Sequence, residues 1–305
     1  MKKKLTKTIL ILPVALLFYC GQTVPEFSGE NSFAYLEKQV SFGPRNPMST
    51  GHEECKNWLV SELKKFAGRV VEQPFMHYDP RINKNFKMTN IVASFNLKAE
   101  RRIVLCAHWD TRPVADMDVP ENSDKPILGA NDGASGVAVL LEIARVMKSQ
   151  PTDVGVDIVL FDGEDYGPEG KLDEYFLGSK YFAKNLNDYK PVFGILLDMV
   201  GDAQLNLPIE YQSQYYARNI VDKVWAAAKE LGYTQFKNRV GSAVNDDHLA
   251  LIDAGIPTID IIDFEYPDNT HKYWHTMEDT PDKCSPQSLK VVGQTVLQVI
   301  YNEAG

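Results

Sequence analysis

The sequence predicts one α/β domain with a mostly parallel central sheet. Apolar runs of strand length, such as residues 103–107 and 156–161, alternate along the chain with stretches of helical period. The sequence contains no internal repeat. Strands that alternate with helices in this way typically form a parallel sheet, with helices covering both of its faces.

The predicted elements follow one another in a regular order. Ser32 is expected to cap a short helix over residues 33–40, and Thr50 with Glu53 forms a capping-box pattern at the start of a second helix. The predicted strands are residues 70–76, 89–95, 103–107, 156–161, 192–197 and 257–262, and the later helices are residues 137–147, a short one after Gly178, 220–231 and 289–301. Residues 109–128 carry Pro113, Pro120 and Pro126, and so long a loop in a compact domain suggests a function.

Composition excludes two classes of protein. Hydrophobic residues make up 44% of the chain and aromatic residues 10%, which is ample for a folded core and argues against a disordered chain. The formal net charge is −9 at pH 7, and removal of the N-terminal lysines would make it more negative. Because nucleic-acid-binding surfaces are basic, we expect no nucleic-acid partner.

The first 20 residues are predicted to be a signal peptide. Lysines at positions 2, 3, 4 and 7 precede an apolar run, residues 9–19, that is too short to span a membrane. We therefore predict export, either to the periplasm or as a membrane-anchored lipoprotein facing it through a lipidated Cys20. Tyr19 is bulky where lipoprotein signals favour a small residue, so both alternatives stay open. Residues 21–30 are expected to be a polar tether before the domain at 31–305.

Three cysteines remain after the predicted signal peptide. Cys106 lies in an apolar strand and is expected to be a small core residue. A disulfide between Cys55 and Cys284 would suit an oxidising compartment, but the sequence leaves this pairing open.

Acidic side chains follow one predicted strand at its carboxyl end. The strand at 156–161 runs into Asp162, Glu164 and Asp165. Burying carboxylates costs several kcal/mol unless a cation or hydrogen bonds compensate for it. Open α/β sheets place their chemistry at this edge, although a solvated acidic turn would explain this run alone equally well.

Similar residues recur at other predicted strand ends and turns. They are His108 with Asp110, Asp132 in a glycine-rich turn, Asp198, the triplet Asp246-Asp247-His248, and His275. Any one of them is more often a helix cap or a core residue than a ligand. Their joint placement is harder to explain in that way, and imidazole with carboxylates is a ligand set that zinc uses in proteins.

These motifs together resemble the zinc aminopeptidase and glutaminyl cyclase superfamily. The matching motifs are His108-x-Asp110, Asn131-Asp132-x-x-Ser135-Gly136, Glu164-Asp165, Asp198 and Trp274-His275-Thr276. The resemblance covers roughly residues 33–303 and implies a single-domain α/β/α sandwich with a mixed, mostly parallel sheet. Carried over from the two-zinc aminopeptidases, it implies Glu164 as general base and the ligands Asp132 (bridging), Asp165 and His275 (first zinc), and His108 and Asp198 (second zinc).

Four runs resemble the bacterial glutaminyl-peptide cyclotransferases, or glutaminyl cyclases, more than the aminopeptidases. They are residues 107–113, 129–136, 245–248 and 274–276. That branch implies one zinc per chain, with the ligands Asp132, Asp165 and His275, and an acid network of Glu164, Asp198 and Asp246. A second zinc at His108 and Asp198 is less favoured. The animal cyclases have a glutamate at the position of Asp165, so the ligand in this chain is one methylene shorter.

The resemblance implies that N-terminal glutamine of peptides or proteins is cyclised to pyroglutamate, with release of ammonia. The nucleophile is the substrate's own amine, so one zinc acting as a Lewis acid suffices. Glu164 is expected to transfer the proton from the amine to the ammonia, and like charges at Asp198 and Asp246 are expected to raise its pKa. Trp109 and Trp274 are expected to wall the substrate pocket and exclude water.

Two other functions are compatible with the sequence. A two-zinc aminopeptidase would hydrolyse N-terminal residues, and a binding module would keep the fold without catalysis. The intact Glu164 and the complete ligand set argue against the binding module. Three protein ligands leave the fourth zinc position open, which argues against a purely structural metal. We expect a monomer.

Overall fold

The structure is a computed structural model that describes residues 23–168 and 170–303. The predicted signal peptide and Cys20 lie outside the described residues. Across the part of the chain that is described, no helix combines the length and the apolar character needed to cross a membrane.

A six-stranded mixed sheet forms the centre of the fold. The strands in chain order are β1 (Arg69–Asp79), β2 (Lys84–Phe95), β3 (Arg102–His108), β4 (Gly155–Phe161), β5 (Gly194–Asp198), β6 (Leu207–Ile209), β7 (Phe236–Val240) and β8 (Thr258–Ile262). The sheet order is β1-β2-β4-β3-β5-β8, and β6 pairs separately with β7. Strands β4, β3, β5 and β8 run parallel, whereas β1 and β2 form an antiparallel hairpin at one edge.

Helices cover both faces of this sheet. They are α1 (Gly29–Val40), α2 (Thr50–Phe66), α3 (Ala134–Ser149), α4 (Leu177–Lys184), α5 (Tyr211–Tyr216), α6 (Arg218–Glu230), α7 (Asp247–Asp253) and α8 (Pro286–Asn302). Helices α1, α2, α3, α6 and α8 share one hydrophobic core with the sheet, and α4 and α7 share a smaller core on the other face. The predicted single-domain α/β/α sandwich is thereby confirmed.

Strand β3 explains why the central strands are apolar throughout. Ile103 and Leu105 belong to the larger core, whereas Val104 and Cys106 belong to the smaller core on the opposite face. Successive side chains of a strand point to opposite faces, so a strand that is covered on both sides needs an apolar residue at every position.

Two helices begin earlier than predicted. Helix α1 starts at Gly29 after the cap Ser28, whose hydroxyl oxygen accepts from the amide of Asn31. The predicted cap Ser32 is instead a buried residue inside that helix. Helix α2 is capped by Ser49, which accepts from the amide of His52 at 3.0 Å, so the Thr50 capping box is wrong by one residue.

The predicted tether at residues 21–30 is wrong for its described end. Phe27 is fully buried, and its amide donates to Gln294 Oε1 on α8 at 2.8 Å. Its ring lies so close to the backbone of α8 that a Cβ at Gly293 would be 2.2 Å from Phe27 Cε2. A single aromatic residue in a polar segment is enough to dock that segment, and composition alone did not reveal it.

The three described cysteines form no disulfide. Cys55, Cys106 and Cys284 are all buried and free, so the disulfide that the sequence left open does not form. The expected core position of Cys106 is confirmed.

Strands β6 and β7 and helices α5 and α7 were not predicted, because each is too short to display a hydrophobic period.

Docking of the N-terminal segment predicts a large stability effect. Phe27→Ala should lower the free energy of unfolding by about 3–5 kcal/mol, because it leaves a cavity against α8. Urea denaturation of the chain from residue 21 onward would measure this. Tyr215→Ala removes a side chain that is 70% exposed and should change stability by less than ~0.5 kcal/mol. Equal, small effects of both substitutions would contradict the docked segment.

Candidate metal centre

A cleft of about 440 Å³ contains most of the residues that the sequence singled out. Asp198 ends β5, and Glu164 and Asp165 follow β4, so the cleft lies at the carboxyl edge of the parallel strands. Lining residues from the predicted set are Asp132, Glu164, Asp165, Asp198, Asp246, Trp274 and His275. The edge of the sheet therefore brings together residues that are up to 143 positions apart in sequence.

Asp132, Asp165 and His275 form a buried group with the geometry of a metal site. One ligand atom from each lies within 4.8 Å of the others. His275 Nε2 is 3.6 Å from Asp132 Oδ2 and 3.4 Å from Asp165 Oδ2. Asp165 Oδ2 is buried and has no hydrogen-bond partner. An orphaned carboxylate oxygen beside an imidazole nitrogen and a second carboxylate is a suitable donor set for a zinc ion.

The loop that carries Asp132 is held by tight backbone geometry. Gly133 has φ of +101°, and a Cβ there would lie 2.5 Å from the carbonyl oxygen of Asp110. The amides of Asn131 and Asp132 donate to the two carboxylate oxygens of Asp279 at 2.8 and 3.1 Å. Sequence analysis did not single out Asp279, although it closely follows His275 in the same conspicuous run.

Asp110 holds the segment that contains Glu164 and Asp165. It is fully buried and accepts from the amides of Glu164 and Asp165 at 3.1 and 3.3 Å. Asp110 therefore orients the turn after β4. It belongs to neither of the two candidate metal groups that contain Asp132.

His275 is held in an uncommon backbone conformation under an aromatic cover. Its φ is +55°, and two other residues of the cleft, Phe176 and Met199, also have positive φ, at +58° and +48°. Such conformations cost free energy and cluster at functional sites. The ring of Trp274 stacks on His275 with centroids 3.9 Å apart and meets Phe264 edge-on at 5.2 Å. Trp274 therefore lies in the cleft wall.

His108 belongs to a second group that could hold a cation. Its Nε2 is 3.2 Å from both Asp132 Oδ1 and Asp198 Oδ1. These three residues are buried, and their ligand atoms also lie within 4.8 Å of one another. Geometry alone therefore leaves the number of metal ions open.

Two acids of the cleft, Glu164 and Asp246, have pKa values well above their usual range. Burial raises the pKa of Glu164 well above its usual value, and the charges of Asp165 and Asp246 act in the same direction. Burial also raises the pKa of Asp246, together with repulsion from Asp198. The sequence predicted that repulsion from Asp198 and Asp246 raises the pKa of Glu164. Burial is the larger cause, Asp246 contributes as predicted, and Asp165 contributes where Asp198 was expected.

Trp109 does not wall the cleft, so that prediction is wrong. It is fully buried, its indole N–H donates to the carbonyl oxygen of Thr89 at 3.2 Å, and its ring stacks on His52 with centroids 4.3 Å apart. His52 Nε2 in turn lies 2.8 Å from Asp162, which also accepts from the amide of Thr89 at 2.6 Å. Asp162 and Trp109 thus belong to a structural cluster behind the site.

Comparison with known proteins identifies the family. Residues 90–300 match the model of Peptidase family M28. The chain belongs to this family. A crystal structure of Bacteroides thetaiotaomicron glutaminyl cyclase bound to N-acetylhistamine is 43% identical, with a TM-score of 0.87 over 92% of this chain and 99% of that chain.

The similar proteins carry two different activities in their names. A leucine aminopeptidase precursor from Bacteroides thetaiotaomicron is also 43% identical, with a TM-score of 0.87 over 92% of this chain and 98% of that chain. Glutaminyl-peptide cyclotransferase of Bos taurus is 24% identical over 297 residues, covering 85% of this chain and 78% of that protein. Similarity therefore gives the family, and the residues of the cleft have to distinguish the activity.

The first metal group predicts a specific loss of zinc. Asp165→Ala removes the orphaned oxygen, so purified protein should lose its zinc while its circular dichroism spectrum stays that of a folded α/β protein. Metal content would be measured by plasma mass spectrometry. Asp202→Asn neutralises a buried acid outside every metal group found among the described residues and should keep the wild-type zinc content. Unchanged zinc in Asp165→Ala would remove Asp165 from the ligand set.

Proposed function

We propose that this protein cyclises N-terminal glutamine of peptides and proteins to pyroglutamate and releases ammonia. The proposal assigns one zinc to Asp132, Asp165 and His275. The observation that carries it is Asp246, a buried acid that lines the cleft beside Asp198 and has an oxygen without a hydrogen-bond partner. Asp246 belongs to neither of the two groups that would hold a pair of zinc ions, whereas a proton-transferring network with Glu164 and Asp198 uses it.

The residues of the cleft have distinct roles in this reaction. Zinc, when bound, supplies a Lewis acid for the γ-carbonyl of the glutamine. Glu164 accepts a proton from the attacking α-amine and returns it to the departing ammonia. The raised pKa of Glu164 favours the protonated form that delivers this proton to the leaving group. Asp198 and Asp246 share the negative charge of the network with Glu164.

The walls of the cleft suit a reaction that excludes water. Trp274, Phe264 and Ile262 contribute apolar surface beside the metal group. Cyclisation produces a lactam from two groups of one substrate, so water entering the site could only compete as a nucleophile. The chain as a whole is acidic, which suits a substrate that arrives with a positively charged N-terminus.

A two-zinc aminopeptidase is the second candidate function. It is supported by the group of His108, Asp132 and Asp198, which has ligand geometry of its own, and by the leucine aminopeptidase name of one structural neighbour. This group would hold a second metal ion, and two metal ions would supply Lewis-acid chemistry for peptide hydrolysis by water. The two functions therefore differ in metal content and in substrate.

We also propose export of the protein, on the basis of residues 1–20. The mature chain would reach the periplasm, either free or anchored by a lipidated Cys20. Peptides and proteins with N-terminal glutamine would then be encountered outside the cytoplasm.

A two-substrate assay tests the proposed function. Zinc-loaded protein should release ammonia from a Gln-initiated peptide, carry about one zinc per chain and leave a leucine anilide intact. Rapid anilide cleavage by protein that holds two tightly bound zinc ions would overturn the proposal in favour of the aminopeptidase.

Glu164→Gln separates the general base from the ligands. Glutamine keeps the size of the side chain but cannot accept the proton, so turnover should fall by at least ~100-fold while zinc stays bound. Ammonia release and zinc content would be measured on the same preparation. Glu142→Gln alters a buried glutamate on α3, remote from the cleft, and should keep its turnover. Near-normal turnover in Glu164→Gln would assign the base elsewhere, with Asp246 the next candidate.

A further inference from the structure

Arg112 lies beside the proposed zinc ligands, in the lining of the cleft. Its side chain is buried, and its Nη1 donates to Asp165 Oδ1 at 2.7 Å. On its other side, Nε donates to Asp116 Oδ1 at 2.7 Å, and Nη2 donates to Asp116 Oδ2. One guanidinium thus joins a proposed ligand to an acid that has had no role so far.

Asp116 contacts a second ligand. Its Oδ1 is 3.3 Å from His275 Nδ1. A carboxylate at this distance favours the tautomer that carries its hydrogen on Nδ1, which leaves Nε2 free to face Asp132 and Asp165. Arg112 and Asp116, which both line the cleft, therefore connect two of the three proposed ligands.

The connection leaves a single ligand atom on Asp165. Oδ1 is occupied by Arg112, whereas Oδ2 is buried and unpartnered and lies 3.4 Å from His275 Nε2. Aspartate has a shorter side chain than glutamate, so fewer side-chain conformations can bring its carboxylate to a given position. A fixed donor on one oxygen determines where the other oxygen points.

We propose that Arg112 and Asp116 are positioning residues that set the affinity of the zinc site. Arg112 fixes the rotation of the Asp165 carboxylate, and Asp116 fixes the tautomer and the ring orientation of His275. The planar fork of an arginine can bind two carboxylates at once, whereas the single ammonium of a lysine cannot match that geometry. This inference rests on the proposed ligand set and not on which reaction the site performs.

Arg112 also has contacts of a purely structural kind. It donates to the hydroxyl of Tyr175 at 2.8 Å and to the carbonyl oxygen of Gly167 at 3.2 Å. If these contacts were its only role, its replacement would lower stability without a separate effect on the metal. Zinc affinity, measured on folded protein, distinguishes the two roles.

The test is a zinc dissociation constant, measured by competition with a chromophoric chelator. Arg112→Gln and Asp116→Asn should each weaken zinc binding by about 10–100-fold, the usual effect of removing a group that orients a ligand. Arg112→Lys keeps the charge but should recover little of the affinity. Arg102→Gln is the matched control. Arg102 also donates two hydrogen bonds to one carboxylate, that of Asp157, at 2.7 and 2.8 Å, and neither residue lines the cleft. Arg102→Gln should leave zinc affinity unchanged.

A double variant tests whether Arg112 acts through Asp165. In the presence of Arg112, Asp165→Glu should weaken zinc strongly, because the longer carboxylate no longer fits between the guanidinium and the metal. In the Arg112→Gln background, Asp165→Glu should weaken zinc binding by a clearly smaller factor. The fold-changes of the two substitutions would then not multiply in the double variant. Additive effects would contradict a positioning role, even if every variant folds.

The failure of this inference is distinct from the failure of the proposed ligand set. If Asp165→Ala keeps zinc, the ligand set is wrong. If Asp165→Ala loses zinc but Arg112→Gln and Asp116→Asn bind it as tightly as the wild type, the ligand set stands and the positioning role is wrong. Full recovery of affinity by Arg112→Lys would likewise reduce Arg112 to a source of charge and overturn the proposal.

Discussion

Carboxylates are buried at one edge of the sheet, and the structure depends on the hydrogen bonds and opposite charges that offset the cost of burying them. An ionised acid removed from water costs several kcal/mol unless hydrogen bonds or opposite charge offset the loss. Asp162 is paired with His52, Asp110 with the amides of the turn after β4, and Asp279 with the amides beside Asp132. Asp165 and Asp246, which each keep one oxygen without a hydrogen-bond partner, line the cleft, where a cation and a shared proton can compensate them.

The fold creates this crowding through its topology. Parallel strands end at the same edge, so residues that follow different strands meet there although they are far apart in sequence. The residues also have to point inward, and the chain accepts strained backbone to achieve this at Met199 and His275. Acids with hydrogen-bond partners, such as Asp162, lie behind the cleft, whereas the acids proposed to bind zinc and transfer protons line it.

Sequence predicted the parts of the molecule that depend on local pattern. The buried strands appear as apolar runs, and Asp132 appears in a glycine-rich turn whose positive φ requires Gly133. Trp109 and Trp274 each lie beside a histidine, and nothing local distinguishes them. Trp109 turns into the core and Trp274 into the cleft because of residues that pack on them from elsewhere. Arg112 and the docking of Phe27 were missed for the same reason, since their partners are distant in sequence.

In the proposed reaction, the site joins two groups of one substrate instead of admitting water. The most direct test is to incubate the zinc-loaded protein with a single Gln-initiated peptide and to measure the mass of the product by mass spectrometry. Cyclisation should yield a product of unchanged length that has lost only the mass of ammonia, formed in step with free ammonia. A product shorter by its whole N-terminal residue would contradict cyclisation and identify the site as hydrolytic.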